Sequence, residues 1–267
     1  MKFKGMLFCT DLDGTLFDSN RQLSDVNREA IEYFKSEGGL FTFITGRVRL
    51  TADAIYRLIK PNAPFACFNG AALYDGGSDE FLWWTEPDPD YRRLVEYVNK
   101  ELPEVGCHLN TKNGIYFTSV EPSILSLIND QKLNISHNLY KCEDIKEPVI
   151  KVVFTTEDMQ MMSQLETLLH NHPLSYKFDF IRSEETFYEL LPKGVCKGAA
   201  LVKMAELLNI DIKNTVAAGD YNNDISMIKA AGIGYAVKNA VDEVRAVADR
   251  ITVSNDENAI AKIIYEL

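Results

Sequence analysis

The chain is short of cysteine pairs. Its five cysteines (Cys9, Cys67, Cys107, Cys142 and Cys196) are scattered, odd in number and never spaced Cys-x-x-Cys. That argues against a disulfide framework and against a zinc site, and suits thiols used as core filler in a reducing compartment. Basic residues are also scarce: 28 Lys and Arg stand against 39 Asp and Glu, a net charge of −11. A nucleic-acid backbone needs a basic face, so nucleic acid is not an expected partner. A small phosphorylated molecule stays open, provided the site itself supplies metal or lysine. No apolar run approaches the roughly 18 residues of a membrane span, and Met1 stands too close to the first apolar run for a signal peptide. No internal repeat or low-complexity tract is present. These absences predict a soluble, cytoplasmic protein with no membrane partner; they leave its oligomeric state open. What is present is globular: 267 residues, 46% hydrophobic and 25% charged, enough for one large domain or two ordinary ones.

The most informative stretch is Asp11-Leu12-Asp13-Gly14-Thr15, directly after the apolar run Met6-Leu7-Phe8-Cys9. Such a run reads as a buried strand. Two carboxylates at its end would sit at the carboxyl edge of a sheet, where open α/β folds bind ligands. Residues two apart in extended chain point the same way, and Gly14 permits a sharp turn straight after them. Two such charges repel, so the pair calls for a shared proton or a cation. Taken alone the motif is as well explained by a polar turn capping a strand. An EF-hand loop does not fit: counted from Asp11, Leu16 and Gln22 fall where Gly and Glu are required.

Further along, Val26, Ala30 and Phe34 repeat every four residues behind the capping Ser24 and before Gly38-Gly39, which predicts a helix over 24–37. Residues 40–44 read as a second buried strand, ending in Thr45-Gly46-Arg47. Leu50, Ala54 and Leu58 predict a second helix, stopped by Pro61, and residues 65–68 a third strand ending in Asn69-Gly70. Strand, helix, strand, helix, strand implies a parallel sheet with right-handed crossovers. The pattern then changes to an antiparallel hairpin over 71–84, a proline-rich linker, and roughly a hundred residues mixing helix and strand, including a helix near Ser123–Asp130. From Lys197 the first pattern resumes, with the strand Thr215–Ala218 running into Gly219-Asp220-Tyr221-Asn222-Asn223-Asp224. The predicted fold is α/β: a Rossmann-like parallel-sheet core from residues 1–85 and 189–267, carrying an inserted α+β domain, a cap, at 86–188.

Four strand ends thus bring polar residues to one edge, and Lys197 opens a helix. Carboxylates with a lone lysine suit magnesium and phosphate held together, because magnesium takes oxygen ligands and keeps several waters. Thr45 offers a hydroxyl, and Gly46 a backbone N–H with no side chain in the way. In this order, on these elements, Asp-Leu-Asp-Gly-Thr-Leu, Thr-Gly-Arg, Lys-Gly and Gly-Asp-x-x-Asn-Asp resemble the motifs of the haloacid dehalogenase-like hydrolases, over essentially the whole chain. The insert and the phrases Phe68-Asn69-Gly70-Ala71 and Leu191-Pro192-Lys193-Gly194 resemble the Cof-type, class IIB branch.

The resemblance implies that Asp11 is a nucleophile forming an aspartyl-phosphate, and that Asp13 is the general acid/base. It implies Mg²⁺ bound by Asp11, Asp220 and the main-chain oxygen of Asp13, with support from Asp224. Thr45, Gly46, Lys197 and Asn223 would hold phosphate, and Arg47 either contacts substrate or only pairs with an acid. The implied enzyme is a phosphoric monoester hydrolase acting on a small phosphorylated metabolite, with sugar phosphates the leading class. A phosphosugar mutase of the same superfamily is the alternative, and a phosphate-accepting module without turnover is a third reading. Trp83-Trp84 reads as hinge packing before sugar platform, and His170-Asn171-His172 as a helix end before a metal site. One departure from the branch pattern, Val237-Lys238-Asn239-Ala240 with Lys in place of Gly, leaves the role of Asn239 open.

Overall fold

The structure is a computed structural model that describes residues 1–119 and 139–267; the helix predicted near Ser123–Asp130 lies outside the described residues. The chain divides into two compact units, one of 1–47, 52–83 and 196–267, the other of 48–51 and 84–195.

The first unit is built on five parallel strands: β1 (Leu7–Thr10), β2 (Leu40–Phe43), and, from the far end of the chain, β11 (Thr215–Gly219), β12 (Ile233–Ala236) and β13 (Arg250–Ile251). Their order is β13-β12-β11-β1-β2. The order reverses between β1 and β11, the switch point at which open parallel sheets bind ligands. β1 is buried on both faces, as its unbroken apolar run requires. Leu7 and Cys9 face a cluster with Ile44, Leu201, Met204 and Ala217. Phe8 packs the other way, edge-on to Phe34 and Phe41. Burying each such ring contributes roughly 1.5–3 kcal/mol.

The third predicted strand, β3 (Phe65–Cys67), meets the parallel sheet through a single bridge, Ile44 to Ala66. Its ladder is antiparallel, to β4 (Ala72–Asp75), and β5 (Glu80–Trp84) completes that small sheet. The helix Asp25–Ser36 starts where predicted, with Ser24 Oγ accepting from the Asn27 N–H at 3.1 Å. Its Ala30 and Phe34 are buried, whereas Val26 is exposed. In the helix Arg49–Ile59 the predicted stripe is on the wrong face: Leu50 and Leu58 are exposed, and Ala52, Ile55 and Ile59 are buried.

The second unit is a five-stranded sheet ordered β7-β6-β8-β10-β9. Its strands are β6 (Gly106–Thr111), β7 (Ile115–Ser119), β8 (Val149–Thr155), β9 (Phe178–Glu184) and β10 (Phe187–Pro192). The helices Tyr91–Glu101 and Met159–His170 bury Leu94, Val95, Val98, Met162, Leu165 and Leu169 in one cluster with Cys107, Leu109, Val152, Phe154, Tyr188 and Leu190. The return to the first unit, expected at residue 189, comes after Val195. The reason is that β10 pairs on both sides, with β8 and β9, and so belongs to the second sheet over its whole length.

Candidate active site

The residues to which the sequence assigned catalysis, metal or phosphate all belong to the first unit. Asp11 continues β1 by one residue, its N–H donating to Ala218 O at 2.9 Å. The chain then makes one wide turn over Leu12–Leu16, closed by the Phe17 N–H on Leu12 O at 2.9 Å. Gly14 makes that turn possible. It has φ +79°, and a Cβ there would lie 2.5 Å from Asp220 Oδ2. The turn also aims Thr15 at the late strand end, where its hydroxyl donates to Asp220 Oδ1 at 2.7 Å.

Lys197 is the first residue of the helix Lys197–Leu207 and is only 1% exposed. A lysine in a first helical turn opposes the macrodipole, and a buried ammonium is costly unless paired. Lys197 is paired twice, donating to Asp11 Oδ1 at 2.7 Å and to Asp224 Oδ1 at 2.6 Å. Burial alone would push its pKa down, but the two carboxylates push it up further, so it stays charged. The other oxygen of the fully buried Asp224 accepts from the N–H groups of Asp220 and Tyr221, at 3.0 and 3.1 Å. Asp224 therefore both fixes the lysine and folds the loop that carries Asp220.

Carboxylate oxygens of Asp11, Asp220 and Asp224 come within 4.8 Å of one another. Burial, then the charge of Asp224, pushes the Asp220 carboxyl up to about 7, against the weaker pull of Thr15. Asp11 is raised by burial and by Asp224 and Asp220, with Lys197 opposing. Three carboxylates against one ammonium leave an excess of buried negative charge. The donor set is all carboxylate oxygen, the kind magnesium prefers, and the arrangement fits that ion.

Asp13 is turned differently. Arg47 grips it with two parallel bonds, Nε to Oδ2 at 2.7 Å and Nη2 to Oδ1 at 2.6 Å. Thr45, buried at the end of β2, accepts the Arg47 N–H on its hydroxyl at 3.2 Å. Gly46 lies against Asn69, where a Cβ would stand 3.0 Å from Oδ1. Asn69 Oδ1 also accepts from Asn223 Nδ2 at 3.0 Å. The predicted residues thus form three adjoining groups: carboxylates with Lys197, Asp13 with Arg47 and Thr45, and Asn223 with Asn69 beside Gly46.

Two members of this arrangement were not assigned from sequence. Asn69 joins the second and late strand ends. Its φ of +56° and the +54° of Phe68 before it are unusual for non-glycine residues. A polar residue followed by glycine at a third strand end was the available signal. Thr15 gave no signal beyond its place in the first motif. The open question over Asn239 has an answer: its Nδ2 donates to Gly14 O at 2.8 Å and its Oδ1 accepts from the Asn255 N–H at 3.0 Å. It ties the wide turn to the C-terminal segment. His170 Nδ1 contacts Glu166 O and the Tyr188 hydroxyl, and His172 Nδ1 accepts from Leu174 N–H. Those are the partners of a structural helix end.

The sequence pattern of the haloacid dehalogenase-like hydrolases matches residues 8–264, and the chain belongs to that family. Within it the chain is a phosphoric monoester hydrolase of the Cof type. A Bacillus subtilis relative, named 5-amino-6-(5-phospho-D-ribitylamino)uracil phosphatase YcsE, is 29% identical over 97% of this chain and 94% of its own. A haloacid dehalogenase-like hydrolase from Bacteroides thetaiotaomicron superposes with a TM-score of 0.85, at 28% identity over 98% of both chains. A solved structure described as a subclass IIB sugar phosphatase gives a TM-score of 0.84 at 20% identity, again over 98% of both, a likeness of fold.

Proposed function

We propose that the chain is a magnesium-dependent phosphatase of small phosphorylated metabolites, most of all sugar and sugar-alcohol phosphates, working through an aspartyl-phosphate on Asp11. The observation that carries this is Lys197, buried and bonded at once to Asp11 and Asp224. A phosphate dianion approaching a carboxylate is repelled, and a fixed ammonium at the attacking group offsets that. Mg²⁺, held by Asp11, Asp220 and the main-chain oxygen of Asp13 with Asp224 in support, would supply further neutralisation of phosphate charge.

The residues divide the chemistry as follows. Asp11 attacks phosphorus in line, forming its own P–O bond as the bond to the leaving oxygen breaks. Asp13 gives a proton to that alkoxide, then takes one from the water that attacks the aspartyl-phosphate and frees inorganic phosphate. To do so Asp13 has to leave the Arg47 fork, which holds both its oxygens. Thr45, the Gly46 N–H and Asn223 orient the phosphoryl oxygens. The second unit, expected at 86–188 and compact over 84–195, is the cap that selects the leaving group. The relative named for a phosphorylated ribityl chain supports a polyhydroxylated leaving group. Five free thiols suit a reducing, cytoplasmic setting, and among the described residues no helix is long and apolar enough to cross a membrane.

The test is turnover of p-nitrophenyl phosphate. Many turnovers with magnesium, abolished by EDTA and restored by added magnesium, are expected. Activity indifferent to thorough chelation would remove the metal from the reading. A single stoichiometric phosphorylation would support the accepting module, and dependence on a bisphosphate activator the mutase.

A further inference from the structure

The helices Tyr91–Glu101 and Met159–His170 pack their apolar sides on the second sheet, and their outward sides differ in kind. Tyr91–Glu101 turns charge outward, with Arg92, Arg93, Glu96 and Lys100 exposed. Met159–His170 holds a single acid, Glu166, and no lysine or arginine. Its exposed Gln160, Ser163, Gln164 and Thr167 follow one another in steps of three and four, and Asn171 continues the row past the helix end. Such spacing makes a single stripe. An exposed stripe ordinarily takes charged residues and strong helix formers, and serine and threonine are weaker ones. Five uncharged hydrogen-bonding side chains in one row are not what helix stability calls for.

The stripe lines a groove of about 550 Å³, within the size range of small-ligand sites. Tyr97 of the neighbouring helix and Leu168, His172 and Pro173 line the rest. The Tyr97 and His172 rings meet there, their centroids 4.9 Å apart and their planes tilted by 54°. All the lining residues belong to the second unit, and none has a part in the phosphate chemistry.

Hydrogen bonds within the second unit decide what the groove can offer. Ser163 Oγ donates to Met159 O at 3.0 Å and Thr167 Oγ1 to Ser163 O at 2.9 Å. Both hydroxyl protons are thereby spent, and both oxygens are left to accept. His172 Nδ1 accepts from the Leu174 N–H at 3.2 Å, which leaves Nε2 to carry the ring proton and donate. The amides of Gln160, Gln164 and Asn171 each donate and accept. No lysine, arginine or carboxylate lines the groove to answer an ionised group.

That combination suits a flat ring with N–H, C=O or ring-nitrogen groups along its edge. A side-chain amide meets such an edge with two parallel bonds, as Asn and Gln do on adenine. Aromatic side chains stack on the face of such a ring. A phosphate or carboxylate finds no counter-charge here, and a sugar brings hydroxyls but no π face.

We propose that this groove on the helical side of the second unit binds a neutral nitrogen heterocycle of the nucleobase kind. Gln160, Gln164 and Asn171 read its edge, Ser163 and Thr167 accept its N–H groups, and Tyr97 and His172 pack on its face. The site does not depend on the phosphatase reading, and its occupancy needs no turnover.

Binding is followed on the ring signals of full-length protein. The chain has four histidines, so the His172 signal can be assigned by its loss in His172→Gln. Titration with uracil and with adenine should shift that signal saturably with at least one of them, and glucose should leave it in place. No saturable shift with either base, up to its solubility, overturns the site. A response to glucose that neither base matches overturns the heterocycle as its ligand. Gln164→Ala and Asn171→Ala shorten exposed side chains, so both variants should keep the parental thermal midpoint. Each removes one edge-reading amide, and the dissociation constant of the bound base should rise at least about fivefold in both. Parental affinity in both variants would leave the stripe without a reading role and overturn the proposal.

Discussion

At the scale of single residues, the site is a problem of unlike charges placed close together out of water. Asp11 and Asp13 were legible because both follow one apolar run, so their placement is local. Asn69 and Thr15 were not, because their roles depend on neighbours 154 and 205 positions away. The two strand-end acids should fail differently. Asp11→Asn is expected to leave no covalent phosphoenzyme on rapid acid quench. Asp13→Asn should fold normally and lose about 10²–10⁴ in kcat, the usual worth of a positioned acid/base; full activity in that variant would remove the assignment. His108 gives a prediction of another kind. Its folded pKa of about 3 lies below the value of about 6.5 for the free side chain. Between those values the unfolded chain binds the extra proton, so His108 leaves stability intact above about pH 6.5 and erodes it as pH falls toward 3. The urea midpoint should therefore drop less between pH 7 and 4.5 in His108→Asn than in the parent. An equal drop would mean that the buried neutral ring is not responsible.

At the scale of elements, periodicity found the segments but not always their faces. The helix Arg49–Ile59 has apolar residues on more than one side, and Leu50 and Leu58 fit the four-residue spacing as well as the buried Ile55 and Ile59 do. Spacing cannot choose between two apolar stripes; tertiary packing, which buries Ile55 and Ile59 and sets Tyr56 against Phe65 of β3, does. Similarly, β3 has the composition of a parallel core strand, but the tight return through Asn69-Gly70 commits it to antiparallel pairing with β4. The wide turn at Leu12–Leu16 is the element on which the site depends most. Gly14→Ala would force a side chain into a left-handed position and against the Asp220 carboxylate. The expected result is a loss of more than about 1 kcal/mol in urea unfolding, with a fall in kcat that added magnesium does not fully restore, because Asp220 itself is displaced. An alanine variant with parental stability and activity would show that the turn tolerates rearrangement.

At the scale of the molecule, two five-stranded sheets of different character, one parallel and one antiparallel, share one chain with a small three-stranded sheet, and each unit has its own apolar clusters. The change from parallel to antiparallel pattern was legible from the linker Glu86-Pro87-Asp88-Pro89-Asp90 and the hairpin before it. The second crossing was expected inside the last strand of the insert, at 189; the pairing of β10 with both β8 and β9 keeps that whole strand in the second sheet. On the proposed reading the core motifs would meet the phosphoryl group, which every phosphate ester shares, so discrimination among leaving groups is expected from residues outside them. Replacing residues 84–195 with a short linker tests this, with circular dichroism confirming that the parallel-sheet unit remains folded. The trimmed protein should still hydrolyse p-nitrophenyl phosphate. Its ranking of glucose 6-phosphate, mannitol 1-phosphate and ribose 5-phosphate should flatten to within about threefold, because uniform binding of phosphate cannot separate them. If the parental ranking survived removal of the second unit, selection would reside in the first, and Arg47, released from Asp13, would be the residue to examine next.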